Sequence, residues 1–138
     1  MRELLADETI TGRTKKRTMR EIKFRAWVSE DDENFFMCRT ITGYDSHHHL
    51  VSSEGYNYYN FELMQYTGLK DKNGVEIYEG DVLQDDYAEY YKVDWDLEFA
   101  CFVFYHIGSE HFDNDLNANE AEQCKIIGNI YENPELIK

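Results

Sequence analysis

Hydrophobic and polar positions alternate along most of this chain, and the alternation begins abruptly at Met19. Ile22, Phe24, Ala26 and Val28 interleave with Lys23, Arg25 and Trp27, the period of two that marks a strand with one buried face. Ser29 to Asn34 is a charged turn, and Phe35-Phe36-Met37-Cys38 resumes strand character. Gly43 to Gly55 is polar and unpatterned and reads as a loop. Tyr56 to Thr67 is aromatic-rich, and Phe61 to Tyr66 within it reads as a strand, or as a short helix followed by a strand. In Asp71-Lys72-Asn73-Gly74, the Asn-Gly pair offers two positive-φ positions, a hairpin signal. Glu76 to Leu83 follows as one strand with Gly80 inside it, where a glycine marks a bulge, a bend or a close backbone approach. Tyr87 to Ile107 reads as a second hairpin that turns at Asp96-Leu97-Glu98, and its second arm, Ala100 to Tyr105, is apolar on both faces, as in a doubly buried strand. Asn114-Asp115 is a cap for a helical turn or two over Leu116 to Ala121, Gln123 to Tyr131 is the last strand, and Asn133-Pro134 opens a short helix.

Short strands separated by turn signals predict a mostly β, antiparallel architecture (α+β at most), with closure into a small barrel open to it. Fourteen of the 21 aromatic residues lie between Tyr56 and Tyr105, which places the core there. The first 18 residues lack sustained apolar periodicity after Leu4-Leu5 and read as a flexible basic extension, with a helical turn over Arg2 to Asp7.

Charge changes this picture more than size does. The 138 residues carry a net charge of −14, but unevenly. Residues 1–25 hold eight basic and four acidic side chains, a local charge of +4, whereas residues 26–138 hold six basic and 24 acidic ones, −18. An acidic body repels nucleic-acid phosphates and favours basic partners. The cluster from Arg13 to Arg20 is the one segment suited to phosphates; folded against its own acidic body, or left in solvent, it needs no such role. No apolar run approaches the ~20 residues needed to span a bilayer as a helix. Cys38, Cys101 and Cys124 are odd in number and widely spaced, which fits a reducing cytoplasm better than a disulfide framework or a zinc knuckle.

Candidate chemistry is sparse. His47-His48-His49 could ligate a metal together with Asp45, although three consecutive side chains converge with difficulty. Asp85-Asp86, or Asp94 with Asp96, could hold a divalent cation for phosphoester chemistry; acids at hairpin turns are also ordinary turn formers. Cys101 or Cys124 beside His106 or His111 would make a thiol nucleophile, but an apolar setting raises a thiol pKa. Gly68, Gly74, Gly80 and Gly128 are isolated, without the spacing that cradles phosphate. Tyr56, Tyr58 and Tyr59 could stack nucleobases, but lack basic neighbours and suit core or interface packing better. The expectation is therefore no catalytic residue, no cofactor and no metal.

Three blocks of sequence bear a resemblance. Met19 to Trp27, Gln65 to Val82 and Ile127 to Leu136 resemble, in the same order, the opening, central and closing signatures of the YopX-like phage and prophage proteins. The resemblance implies a C-terminal SH3-like barrel, and Gly80-Asp81-Val82-Leu83 looks like its opening strand. On this basis residues 1–18 are a basic extension, 19–60 a β-rich segment packed on the core, and 61–138 the SH3-like domain. The family carries no catalytic residues to transfer, and Val28 to Tyr59 matches no signature. The expectation is a cytoplasmic, phage-encoded, non-enzymatic module that binds a host or phage protein and is able to self-associate, with no role at a membrane. The alternative is a nucleic-acid-binding accessory using the basic arm and the barrel, and a more distant one is a metal-dependent phosphoesterase.

Overall fold

The computed structural model describes residues 9–10, 13–14, 20–109 and 112–138. Two short strands, β1 (Thr9–Ile10) and β2 (Arg13–Thr14), pair with each other within the segment expected to be a tail. The rest of that extension, including the helical turn expected over Arg2 to Asp7, lies outside the described residues. The body then runs through β3 (Phe24–Ser29), β4 (Phe35–Cys38), β5 (Ile41–Tyr44), β6 (Leu50–Ser52), β7 (Asn57–Tyr58) and β8 (Asn60–Lys70). There follow β9 (Glu76–Tyr78), β10 (Asp81–Gln84), β11 (Tyr90–Asp96), β12 (Cys101–His106), β13 (Phe112–Asp115), the one-turn helix α1 (Ala118–Ala121), β14 (Lys125–Asn129) and a closing 3-10 turn over Pro134–Ile137. The protein is mostly antiparallel β, as the alternation predicts.

Among the described residues, three sheets build the body. One has the order β4-β3-β8-β9, a second β5-β6-β7, and the third β13-β12-β11-β10-β14. Two buried clusters form among those residues. Ala26, Val28, Cys38, Leu50 and Tyr58 pack between the first two sheets. Ile77, Leu83, Val93, Phe104, Leu116, Ala121 and Cys124 fill the C-terminal one. The first core lies largely outside the aromatic-rich stretch, because its buried members other than Tyr58 are small or aliphatic.

Several local expectations are corrected. The stretch Gly43 to Gly55 is not a plain loop. Gly43 and Tyr44 end β5 and pair with Val51 and Leu50 of β6, and Leu50 is almost fully buried. Two apolar residues suffice for a three-residue strand, too few to leave a periodic trace. Glu76 to Leu83 is two strands rather than one, with Gly80 (φ +86°) at the bend and Met64 Sδ 3.3 Å from where its Cβ would stand. At the β8–β9 turn, positive φ occurs at Gly74 but not at Asn73; the turn is organised instead by the Asp71 side chain. The helix cap is Asn117, whose side chain accepts the Glu120 N–H, and Asn114-Asp115 belongs to β13. In β12 only Val103 and Phe104 are buried, so it is not covered on both faces throughout.

One buried link joins the first sheet to the third. Arg25 on β3 and Asp81 on β10 meet at 2.7 Å with both side chains nearly inaccessible. Asp81 also accepts the Tyr78 N–H, and the Arg25 guanidinium lies over the Tyr78 ring. Burial pushes the Asp81 carboxyl up, while Arg25 and the Tyr78 N–H pull it back.

Candidate functional site

The residues singled out for chemistry are occupied in holding turns. Asp45 accepts the backbone N–H groups of His47 and His49, the His49 ring at 3.0 Å and the Asn57 amide. Led by the His49 N–H, these contacts lower the Asp45 carboxyl to about 2. The His47 ring stacks on His49, and His48 takes a positive φ. Among the described residues, no three His, Cys, Asp or Glu side chains are grouped to hold a metal. Asp85 accepts the N–H groups of Tyr87 and Glu89 and the Tyr91 hydroxyl, and Asp86 pairs with Lys72. Asp94 faces Lys92 at 3.5 Å, and Asp96 takes the N–H groups of Glu98 and Phe99.

Of the two histidines weighed as thiol partners, the structure describes His106, which faces an acid. His106 Nε2 lies 2.7 Å from Glu89 Oε2. Burial, with Asp85, Glu120 and Asp86 nearby, pushes the Cys124 thiol up to about 11, the wrong direction for a nucleophile. His111 lies outside the described residues. Of the three tyrosines, Tyr58 is buried in the core, whereas Tyr56 and Tyr59 are exposed. Of the basic cluster, the structure describes the backbone of Arg13 and Thr14 and the exposed Arg20; Lys15, Lys16 and Arg17 lie outside the described residues.

The family-like signature blocks serve the fold. Buried Asp71 takes the N–H groups of Asn73 and Val75 with one oxygen and that of Ile126 with the other, pinning the β8–β9 turn to β14. Buried Asn129 accepts the N–H groups of Tyr131 and Glu132. Gly128 is needed for space: a Cβ there would stand 2.5 Å from Asn133 Oδ1 and 2.8 Å from Leu136 Cδ1.

Among the described residues, the tip of the β11–β12 hairpin is one place where large apolar side chains stay uncovered. Trp95, Leu97 and Phe99 are exposed in succession, with Leu97 89% exposed. Asp94, Asp96 and Glu98 interleave with them. The tip is held in shape: Asp96 takes two N–H groups of the turn with one oxygen and the Tyr105 hydroxyl with the other, Ala100 adopts a positive φ, and the Trp95 ring meets Phe102 edge-on at 4.8 Å. The Phe99 N–H, with burial opposed to it, leads the contacts that lower the Asp96 carboxyl, so it stays charged at neutral pH. Exposed apolar side chains alternating with acids on an ordered turn suit insertion into a pocket with a cationic rim. The patterning missed this tip because Leu97 sat in the turn and was counted as a connector. The available signal was a large apolar residue where turn formers are expected.

Clefts lie elsewhere among the described residues. One, of about 380 Å³, is lined by Asp85, Asp86, Tyr87, Tyr91, Glu120 and Cys124. Another, of about 400 Å³, runs along β4 past Phe36, Met37, Arg39, Glu54 and Tyr56. A third, of about 640 Å³, lies against the β8–β9 turn, with Leu69, Asp71 and Glu122 in its lining. Among the described residues, no helix is long and apolar enough to cross a membrane.

The family model described as YopX protein matches residues 23–138. Protein EF1440 from Enterococcus faecalis, known from its crystal structure, is 27% identical and superposes with a TM-score of 0.53, over 86% of this chain and 99% of that one. No curated protein matches the chain.

Proposed function

The chain belongs to the YopX protein family, and from that membership we propose that it is a phage- or prophage-encoded protein of the bacterial cytoplasm, working as a non-enzymatic protein–protein interaction module. The observation that carries this reading is the hairpin tip, where Leu97 stands 89% exposed between Asp96 and Glu98. A side chain held there by a preorganised turn loses little freedom on binding, so its burial in a partner is rewarded. The acidic flanks steer it toward a host or phage protein whose apolar pocket is rimmed by Lys or Arg. Asp45, Asp85 and Asp96 are engaged in turns and Cys124 in the core, which favours binding over catalysis.

The test is affinity capture from bacterial host lysate at low ionic strength, with the wild-type chain and with Leu97→Lys. The substitution touches an exposed side chain, so stability should change by no more than about 0.5 kcal/mol. A partner held by wild type, released by salt and lost with Leu97→Lys is the expected result. No partner above background, or the same partner held equally by the variant, refutes the reading.

A further inference from the structure

β4 is the outer strand of its sheet, and among the described residues nothing pairs with its free edge. Natural edge strands are protected by lysines, prolines, bulges or covering segments. The four residues of β4, Phe35-Phe36-Met37-Cys38, carry no charge, no proline and no bulge against β3. Two other edges are treated differently. β14 is tied to the β8–β9 turn through Asp71 and through the Lys72 N–H on Cys124 O, and β5 is broken by an irregularity at Gly43. The β4 edge also exposes a ring: Phe36 is 43% accessible, and its other side rests edge-on against Tyr58. Phe36 and the exposed Tyr56 both line the cleft along β4.

Charge selects the occupant. The run Glu30-Asp31-Asp32-Glu33 precedes β4 and Arg39 follows it. Arg39 and Glu33 are both exposed, and neither side chain has a hydrogen bond or ion pair within the described residues. An antiparallel copy of the same strand sets the cation at one end of β4 beside the acids at the other, twice by symmetry; a parallel copy would set like beside like. We propose that β4 pairs antiparallel with β4 of a second copy of this chain, centred on Phe36, to form an isologous dimer with a continuous sheet. Centring on Phe36 places each Phe36 opposite its counterpart, an aromatic cross-strand pair, and brings the turn that carries Glu33 towards the partner copy's Arg39. The paired edge is short, so the dimer is weak and reversible.

The experiment is sedimentation velocity of the full chain over a wide concentration range, with circular dichroism of every variant. Wild type should pass from monomer to dimer with concentration. Arg39→Glu, which replaces attraction by repulsion at both ends, and Phe36→Ser, which removes the central pair, should each weaken association at least roughly tenfold. Glu33→Lys should weaken it as well, and Glu33→Lys combined with Arg39→Glu should restore it, an outcome that a purely structural role for Arg39 would not produce. Arg39 lies close enough to act on Asp81, so Phe36→Ser and Glu33→Lys carry the test if Arg39→Glu fails to fold. A chain that stays monomeric throughout leaves the cleft to a different partner and overturns the proposal. A dimer indifferent to Phe36→Ser and to the charge exchange overturns it too.

Discussion

Replacing Asp81 by Asn leaves the Arg25 guanidinium buried without a counter-charge. In the native protein Arg25 Nη2 lies 2.7 Å from Asp81 Oδ1, with side-chain exposures of 4% and 2%. Breaking such a pair by removing one member costs about 3–5 kcal/mol, a large part of the ~5–15 kcal/mol that holds an ordinary domain together. Arg25→Met is the complementary perturbation. It strands the carboxylate, which already sits above its ordinary range through burial, and it rises further once the cation is gone. A carboxyl raised in the folded state favours folding at low pH, so this variant should be most stable in acid and lose stability as pH rises through the raised folded value. The double variant Arg25→Met/Asp81→Asn removes both charges, and the new amide oxygen can still accept the Tyr78 N–H that Asp81 Oδ2 holds at 2.8 Å. Its cost should fall below that of either single change, giving a coupling of at least about 2 kcal/mol in a double-mutant cycle. Urea unfolding followed by the fluorescence of Trp27 and Trp95 measures all four proteins. Single variants costing less than about 1 kcal/mol, or a double variant equal to the sum of the singles, would refute the view that this pair ties the two sheets together.

Gly128→Ala should destabilise by about 1–3 kcal/mol, because its Cβ would meet Asn133 Oδ1 at 2.5 Å and Leu136 Cδ1 at 2.8 Å; thermal unfolding measures the loss, and Gly74→Ala, with nothing within 4 Å but φ at +79°, separates backbone strain from crowding. Asp45 should titrate near 2 by carboxylate NMR. Its folded value is depressed, so its stabilisation of the His47–His49 turn is present above the ordinary carboxylate range and is lost as pH falls toward 2; an Asp45 that titrates at the ordinary value would contradict the turn geometry.

Much of this protein was legible in its alternation. The strands β3, β4, β8, β11, β12 and β14 each announce themselves by period or by aromatic and β-branched content, and the turn at Asp71–Gly74 by its residues. Other features depend on neighbours distant in the chain. That Arg25 is buried cannot be read from its own segment, where it occupies a polar slot of the alternation; its counter-charge comes from Asp81, 56 residues away. The strand at Leu50–Ser52 exists because β5 and β7 flank it, not because three residues prefer to be extended. Whether an acid forms a site or a turn is likewise a tertiary matter: Asp45, Asp85 and Asp96 looked like possible ligands in one dimension and prove to be acceptors for nearby N–H groups. Local periodicity reports which face of a strand meets the core, since that depends on spacing along the chain. Which side chains face one another, and which edge or tip stays uncovered, depends on contacts between segments far apart in sequence, and only the folded sheets decide that.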